Sequence, residues 1–272
     1  MAKDFRFSLS MRFFKTRERL LDKAKRAEDA GFDILCVPDH LGAAAPIPTL
    51  TAVAMVTSKL KLGMYVLNAA FYKPALLSRD LHALDVLSDG RVEIGLGTGY
   101  VREEFEAAEV PYPSAGARVD YLEHMTKYLK EHHPSTPILI AGNGDRVLTL
   151  AARHADSIGL TGSRVRAVDD PFAERIEFVR KAAGDRFDSL ELDLAITAMP
   201  PAGETAPDLK LTRSYAAELS EEEILSMPSV LSGSPPEIAD TLREFREKYG
   251  VTCFTVQDNH IDNFAKVIAE LR

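Results

Sequence analysis

The stretch KLKLGMYVLNAAFYKPALLSRDLHALDVLSDGRVEIGLG, residues 59–97, contains one complete strand–helix–strand unit. KLKLGMYVL (59–67) is a short apolar run with the branched and aromatic residues that suit a strand. Pro74 then falls in the first turn of a helix, where its missing N–H is harmless, and Leu77, Leu81 and Leu84 recur on one face. Ser88-Asp89-Gly90 stops the helix, and RVEIGLG (91–97) reads as the next strand. Two strands joined through a helix run parallel, because the chain crosses back over the sheet before the second strand begins.

The same unit repeats on both sides. Toward the N-terminus, FRFSLSM (5–11) and FDILCV (32–37) are strands. Between them residues 16–30 form a helix with Leu20, Ala24 and Ala27 on one face, ended by Gly31. A weaker helix covers 47–58. Toward the C-terminus, a helical stretch over 102–132 is broken near Pro111 and Pro113. PILIAG (137–142), DSIGL (156–160), LELDLAIT (190–197) and VTCFTV (251–256) are strands, with helices over Val147–Ala155 and 170–183. Ser234-Pro235-Pro236-Glu237 is a capping box that opens a helix ended by Gly250, and a last helix closes the chain. Eight strands alternating with helices fit either an open doubly wound sheet or a closed barrel. The count of eight, and a composition without a break, predict a single α/β domain over 1–272, a (β/α)8 TIM barrel. Residues 198–233 interrupt the rhythm with turn signals and no clear strand, and are expected to be an irregular lid over the site.

The 272 residues suit one such barrel, and 46% hydrophobic content supports a sizeable core. A formal charge of -8 with no basic run argues against nucleic acid as a partner. No apolar run is long enough to span a bilayer, and MAKDFRFSLSM has no signal core, so no membrane partner and a cytoplasmic location are expected. Cys36 and Cys253 sit in apolar strands and read as buried free thiols. No histidine–cysteine spacing suggests a metal site. His124, His132, His133 and His260 read as surface residues, and Glu103, Glu104 and Glu106 as an acidic helix start that needs no further role.

In a barrel of this kind the chemistry lies where strands end. Asp39-His40 follows the second strand, Asn68 the third, Thr98-Gly99-Tyr100 the fourth, Gly142-Asn143-Gly144-Asp145-Arg146 the fifth and Thr161 the sixth. A glycine turn ahead of a helix lets a phosphate reach free N–H groups, so Gly142 to Asp145 is either a phosphate seat or a tight turn without a ligand. Arg146, or the pair Arg164 and Arg166, would assist as a cation. His40 is either an acid–base group or a histidine bonded into its loop. Gly95-Leu96-Gly97-Thr98-Gly99 does not match the dinucleotide fingerprint.

AEDAGFDILCVPDH, KLGMYVLNAAFYKPALLSRDLHALDVLSDGRVEIGLGTGYVREEF, PILIAGNGDRVLTLAARHADSIGL and SVLSGSPPEIADTLREFREKYGVTCFTV together run along nearly the whole chain. In these stretches it resembles the luciferase-like flavin and deazaflavin oxidoreductases, and the last block resembles their coenzyme F420-dependent branch. The resemblance implies a flavin-type ring in the barrel mouth, with its phosphate on Gly142, Asn143 and Gly144. It implies that Asp39 and His40 lie beside the ring, with His40 in acid–base chemistry. Thr98, Gly99 and Tyr100 would line ring or substrate, and a cis bond between Tyr65 and Val66 would form a bulge under the ring. Sugar-phosphate dehydrogenases of the family carry glutamate at the position of Tyr100, which argues against a sugar phosphate. Family members also carry a longer insertion between His132 and Pro137, a wall that 198–233 is expected to replace. The implied function is hydride transfer between coenzyme F420 and a small organic substrate, an activated alkene or imine. FMN-dependent monooxygenation is the alternative, and a barrel that binds flavin or deazaflavin without turnover is a third reading. A homodimer is the candidate assembly.

Overall fold

The computed structural model describes residues 3–162 and 170–272, so Arg164 and Arg166 lie outside the described residues. The chain runs β1 (Arg6–Ser10), α1 (Arg17–Asp29), β2 (Ile34–Val37), α2 (Pro46–Ala54), β3 (Lys61–Met64), β4 (Leu67–Asn68), α3 (Pro74–Leu87) and β5 (Val92–Gly97). It continues with α4 (Arg102–Ala107), α5 (Ala115–His132), β6 (Ile138–Ala141), α6 (Asp145–His154), β7 (Ser157–Leu160), α7 (Pro171–Ala183) and β8 (Glu191–Ala195). Then follow α8 (Lys210–Tyr215), α9 (Glu221–Leu225), α10 (Pro235–Tyr249), β9 (Val251–Gln257) and α11 (Ile261–Leu271). The strands pair in parallel in the order β3-β2-β1-β9-β8-β7-β6-β5-β4, and a β3–β5 pairing closes the ring. This is the expected (β/α)8 barrel.

The third strand departs from the continuous run expected over 59–67. It is two pieces, β3 and β4, on either side of a cis peptide bond between Tyr65 and Val66. β5 pairs with both pieces, Leu62 opposite Val92 and Leu67 opposite Leu96. That arrangement explains the glycines of β5. A Cβ on Gly95 would stand 1.8 Å from the Met64 carbonyl oxygen, and one on Gly97 would stand 2.8 Å from Val66 Cγ2. Gly95 and Gly97 are therefore set by the close approach of the broken strand, not by a ligand.

Alternation along the strands sorts the side chains into two layers. Phe7, Leu9, Leu35, Leu62, Ile94 and Leu96 are buried among the helices. The barrel interior is polar. Arg6 of β1 pairs with Glu93 of β5 at 2.5 Å and with Glu191 of β8 at 2.9 Å. Asp193 of β8 is buried and accepts hydrogen bonds from Thr255 Oγ1 at 2.9 and 3.0 Å. Burial pushes the Asp193 carboxyl up to about 7. Tyr65 hangs from the cis bond into the same space, its hydroxyl 3.5 Å from Asp193 Oδ1. Both cysteines are free and buried, as expected, and burial raises the Cys36 thiol.

Residues 198–233 are more regular than expected. They hold α8 and α9, the latter opened by a capping box of Ser220 and Glu223. Ala198, Ile224, Met227 and Val230 form a small core of their own, and Ala198 bridges Val230. Apolar residues at Ile224 and Met227 supply enough burial for short helices that strand–helix counting does not anticipate.

Two histidines expected at the surface are buried. His133 lies at the end of α5 with Nε2 2.9 Å from Ser78 Oγ, and His260 sits in the turn after β9. Burial lowers the pKa of both. Packing of α5 against α3, and of the turn after β9, encloses them.

Candidate active site

All strands run parallel, so the loops after them gather on one face, the barrel mouth. The loop after β2 brings Asp39 and His40 there. Asp39 Oδ2 accepts a hydrogen bond from the Asn68 N–H at 3.1 Å, and the Asp39 N–H donates to the Val66 carbonyl at 3.4 Å. Asp39 therefore braces the backbone on both sides of β4. Burial raises its carboxyl above the ordinary range, against the opposing effect of the Asn68 N–H. Asn68 Oδ1 in turn accepts from the Ala70 N–H at 3.2 Å and caps the turn that leads toward α3.

His40 Nδ1 lies 2.9 Å from Glu104 Oε1, and both side chains are largely buried. Glu104 was expected to be only part of an acidic helix start. It reaches His40 because Phe105, its neighbour on α4, is fully buried between Phe71 at 5.3 Å and Tyr112 at 4.9 Å. That anchor fixes the short helix and turns Glu104 inward. An ionised carboxylate only accepts, so the partnership assigns the proton to Nδ1 and leaves Nε2 to meet a ligand. Sequence spacing gave no signal for this pair, since 64 residues separate its members. The Tyr100 ring stands edge-on to His40 at 6.2 Å, is exposed, and is braced by Tyr112, whose hydroxyl donates to the Tyr100 carbonyl at 3.3 Å. Thr98 and Gly99 lead into it, half-buried at the end of β5.

Beside β5, on the neighbouring strand β6, Gly142, Asn143 and Gly144 join the strand to α6. Gly144 is the N-cap of α6 and offers no side-chain cap, and a Cβ placed there would meet nothing within 4 Å. The start of α6 carries the positive end of the helix dipole. Asn143 Nδ2 donates to Thr161 Oγ1 at 2.6 Å, which ties this loop to the one after β7. Arg146 was expected to help hold a phosphate. It pairs instead with Asp120 of α5 at 2.6 Å and lines an outer cleft with Val119, Glu123 and Thr149. Among the described residues, a cation that reaches the turn is Arg175 of α7, which sequence reading missed. Its buried guanidinium pairs with Asp145 at 2.6 Å and donates to the Asn143 carbonyl at 3.4 Å. Its position one helix further along the chain, hidden in an ordinary helical pattern, left no local sign.

The predicted site residues therefore fall into two groups at one mouth. Asp39, His40, Tyr65, Val66, Asn68, Thr98, Gly99 and Tyr100 gather around the broken third strand. Gly142, Asn143, Gly144, Asp145 and Thr161 gather at the start of α6.

Known proteins share parts of this sequence and this fold. The chain is 30% identical over 133 residues to an F420-dependent glucose-6-phosphate dehydrogenase of Amycolatopsis mediterranei, covering 46% of this chain and 40% of that one. Its matches to the first curated relatives span between 25% and 59% of their lengths. The fold is shared with the coenzyme F420-dependent tetrahydromethanopterin reductase of Methanopyrus kandleri, at TM-score 0.77 and 18% identity over 99% of this chain and 100% of that one. It is shared equally with a long-chain alkane monooxygenase, at TM-score 0.78 and 15% identity over 100% of this chain and 92% of that one. The model of the luciferase-like monooxygenase family matches residues 8–210, and on that match the chain belongs to this enzyme family.

Proposed function

We propose that the chain catalyses hydride transfer between coenzyme F420 and a small organic substrate, an activated alkene or imine, with His40 as its acid–base residue. The observation that carries this reading is the His40–Glu104 pair at the mouth, which presents one free imidazole nitrogen beside the broken third strand. The deazaflavin would supply the hydride itself. The chain's residues fit such a group. Gly144 leaves room for a phosphate at the uncapped start of α6, and Asn143 and Thr161 flank it. Arg175 offsets the Asp145 carboxylate that would otherwise repel an anion there. Gly142, Asn143, Gly144, Asp145 and Thr161 would hold the phosphate, and Asp39, Tyr65, Val66, Asn68, Thr98, Gly99 and Tyr100 would surround the ring. In its doubly protonated form His40 would give the Nε2 proton to the substrate atom next to the one receiving hydride, with Glu104 bonded to Nδ1 and holding the ring orientation.

The relatives named F420-dependent support this cofactor over FMN. The shared fold of the alkane monooxygenase supports the second reading, FMN-dependent monooxygenation. Binding of each cofactor to the purified chain, followed by anaerobic turnover of reduced F420 with enones and imines, separates them. F420 binding with oxygen-free turnover is expected. FMN binding with turnover that needs oxygen would transfer the chain to the monooxygenases. Binding without turnover under either regime would support a non-catalytic barrel.

A further inference from the structure

The mouth carries more exposed aromatic surface than its catalytic pair explains. Phe13 and Phe14 follow β1, Leu41 follows β2, Tyr100 follows β5, and Tyr215 closes α8 from the lid segment; all are exposed. Single exposed apolar residues are ordinary on a protein surface, but a group sharing the rim of one site is not. Tyr215 lies near enough to Tyr100 and Arg12 for their charges to act on its hydroxyl in opposite senses. The loops after β1 and β2 are joined, the Ala44 N–H donating to the Arg12 carbonyl at 3.2 Å.

Arg12 is the cation of this group, and its Nε shares with Arg118 Nε and Arg246 Nε the lack of a hydrogen-bond partner among the described residues. Its guanidinium carbon stands 5.1 Å from the Phe13 ring centre, and its Nε is buried without a hydrogen-bond partner. No carboxylate among the described residues pairs with it. Arg175, by contrast, has Asp145 and Glu174 within ion-pair distance. A buried, unbonded guanidinium N–H is costly unless something from outside completes it. The planar fork of arginine matches a carboxylate through two parallel hydrogen bonds. In a chain of net charge -8, an unpaired cation at the mouth gives an anionic ligand a local attraction.

We propose that Arg12, Phe13, Tyr100 and Tyr215 form the substrate-recognition rim, and that the substrate is a planar conjugated carboxylate. Its flat body packs on the exposed rings, its carboxylate completes Arg12, and its reacting carbon is presented toward His40. The proposal rests on the reading of the mouth as the catalytic site, and it adds the substrate class to that reading. Aromatic rings are efficient walls for a flat ligand because they bury much area with few rotatable bonds.

A matched pair of probes tests it: 2-naphthoate, and the neutral 2-naphthamide of the same shape. Affinity is measured by calorimetry on the full chain, without cofactor and again with oxidised F420. The wild-type chain is expected to bind naphthoate about tenfold more tightly than naphthamide, a preference that shrinks as salt is raised. Arg12→Gln should remove the preference and leave naphthamide binding unchanged, Arg12→Lys should keep part of it, and Tyr215→Ala should weaken both probes. Circular dichroism and melting curves establish that each variant is folded. Equal affinity for the two probes in the wild-type chain, no binding of either, or a preference that survives Arg12→Gln would overturn the proposal. F420 binding is read separately from the cofactor's own fluorescence. A chain that binds F420 but does not distinguish the probes loses only this inference. A chain that distinguishes the probes but binds neither F420 nor FMN loses only the proposed function.

Discussion

Gly95 in the barrel interior and Gly144 at the mouth are the same residue for opposite reasons. A side chain on Gly95 would enter the space of the Met64 carbonyl, 1.8 Å away, whereas one on Gly144 would meet nothing within 4 Å. Gly144 also has φ -72 and ψ 143, a conformation open to any residue. The interior glycine belongs to the packing of one strand against another. The mouth glycine meets no neighbour among the described residues, and that room is what the proposed phosphate would occupy. The contrast extends to the polar groups. Interior Thr255 bonds to Asp193 and Arg6 pairs with Glu93, while at the mouth His40 is bonded to Glu104 through Nδ1 alone.

The sharpest way to break this comparison is at Gly95. Gly95→Val should abolish the folded barrel, since the strand would have to leave its neighbour. A normal melting curve for that variant would show that β3, β4 and β5 are not packed as described.

The next effect is on stability and concerns Asp193. Its carboxyl titrates at about 7 in the folded chain, against roughly 3.9 in an unfolded one. The folded state therefore keeps a proton that the unfolded state releases between these values. Stability should be greatest below about pH 4, fall as the pH rises through the window up to about 7, and level off above it. The fall should amount to roughly 2–4 kcal/mol. Asp193→Asn should flatten it, seen as a smaller drop in urea midpoint between pH 5 and pH 8. Equal drops in parent and variant would mean that Asp193 is not the titrating group.

At the mouth the effects should appear in function while stability stays put. His40→Ala should lower turnover about 10²-fold with little change in cofactor affinity. Glu104→Gln should lower it less, about tenfold, because the ring stays in place but loses the carboxylate that sets its tautomer. Full activity in both variants would reduce the pair to a loop brace. The smallest effect belongs to Gly144. Gly144→Val should weaken F420 binding about tenfold, the scale of a few lost backbone hydrogen bonds, and leave the melting temperature unchanged. Unaltered affinity would assign the glycine turn to chain geometry alone, and a large loss of stability would erase its difference from Gly95.

Much of this molecule can be read along the chain. Alternating strands and helices are local patterns, fixed by hydrophobic period, caps and stops, so the barrel and the order of its loops followed from residues such as Leu77, Leu81, Gly90 and the Ser234 capping box. Loop position then placed His40, Asn68, Tyr100 and Gly142 to Gly144 on one face, because parallel strands end together. The partners of those residues were decided only by tertiary structure. Glu104 reaches His40 across 64 residues because Phe105 is packed under Phe71 and Tyr112. Arg175 replaces Arg146 at the glycine turn because α7 packs beside α6, while Asp120 holds Arg146 on the outside. Gly95 and Gly97 match no ligand fingerprint in one dimension, and in three they accommodate the broken third strand. His133 and His260 look exposed until neighbouring elements cover them. The physical reason is common to all of these: propensity and periodicity act between residues a few positions apart, whereas ion pairs, burial and close backbone approach join residues that only the closed barrel brings together.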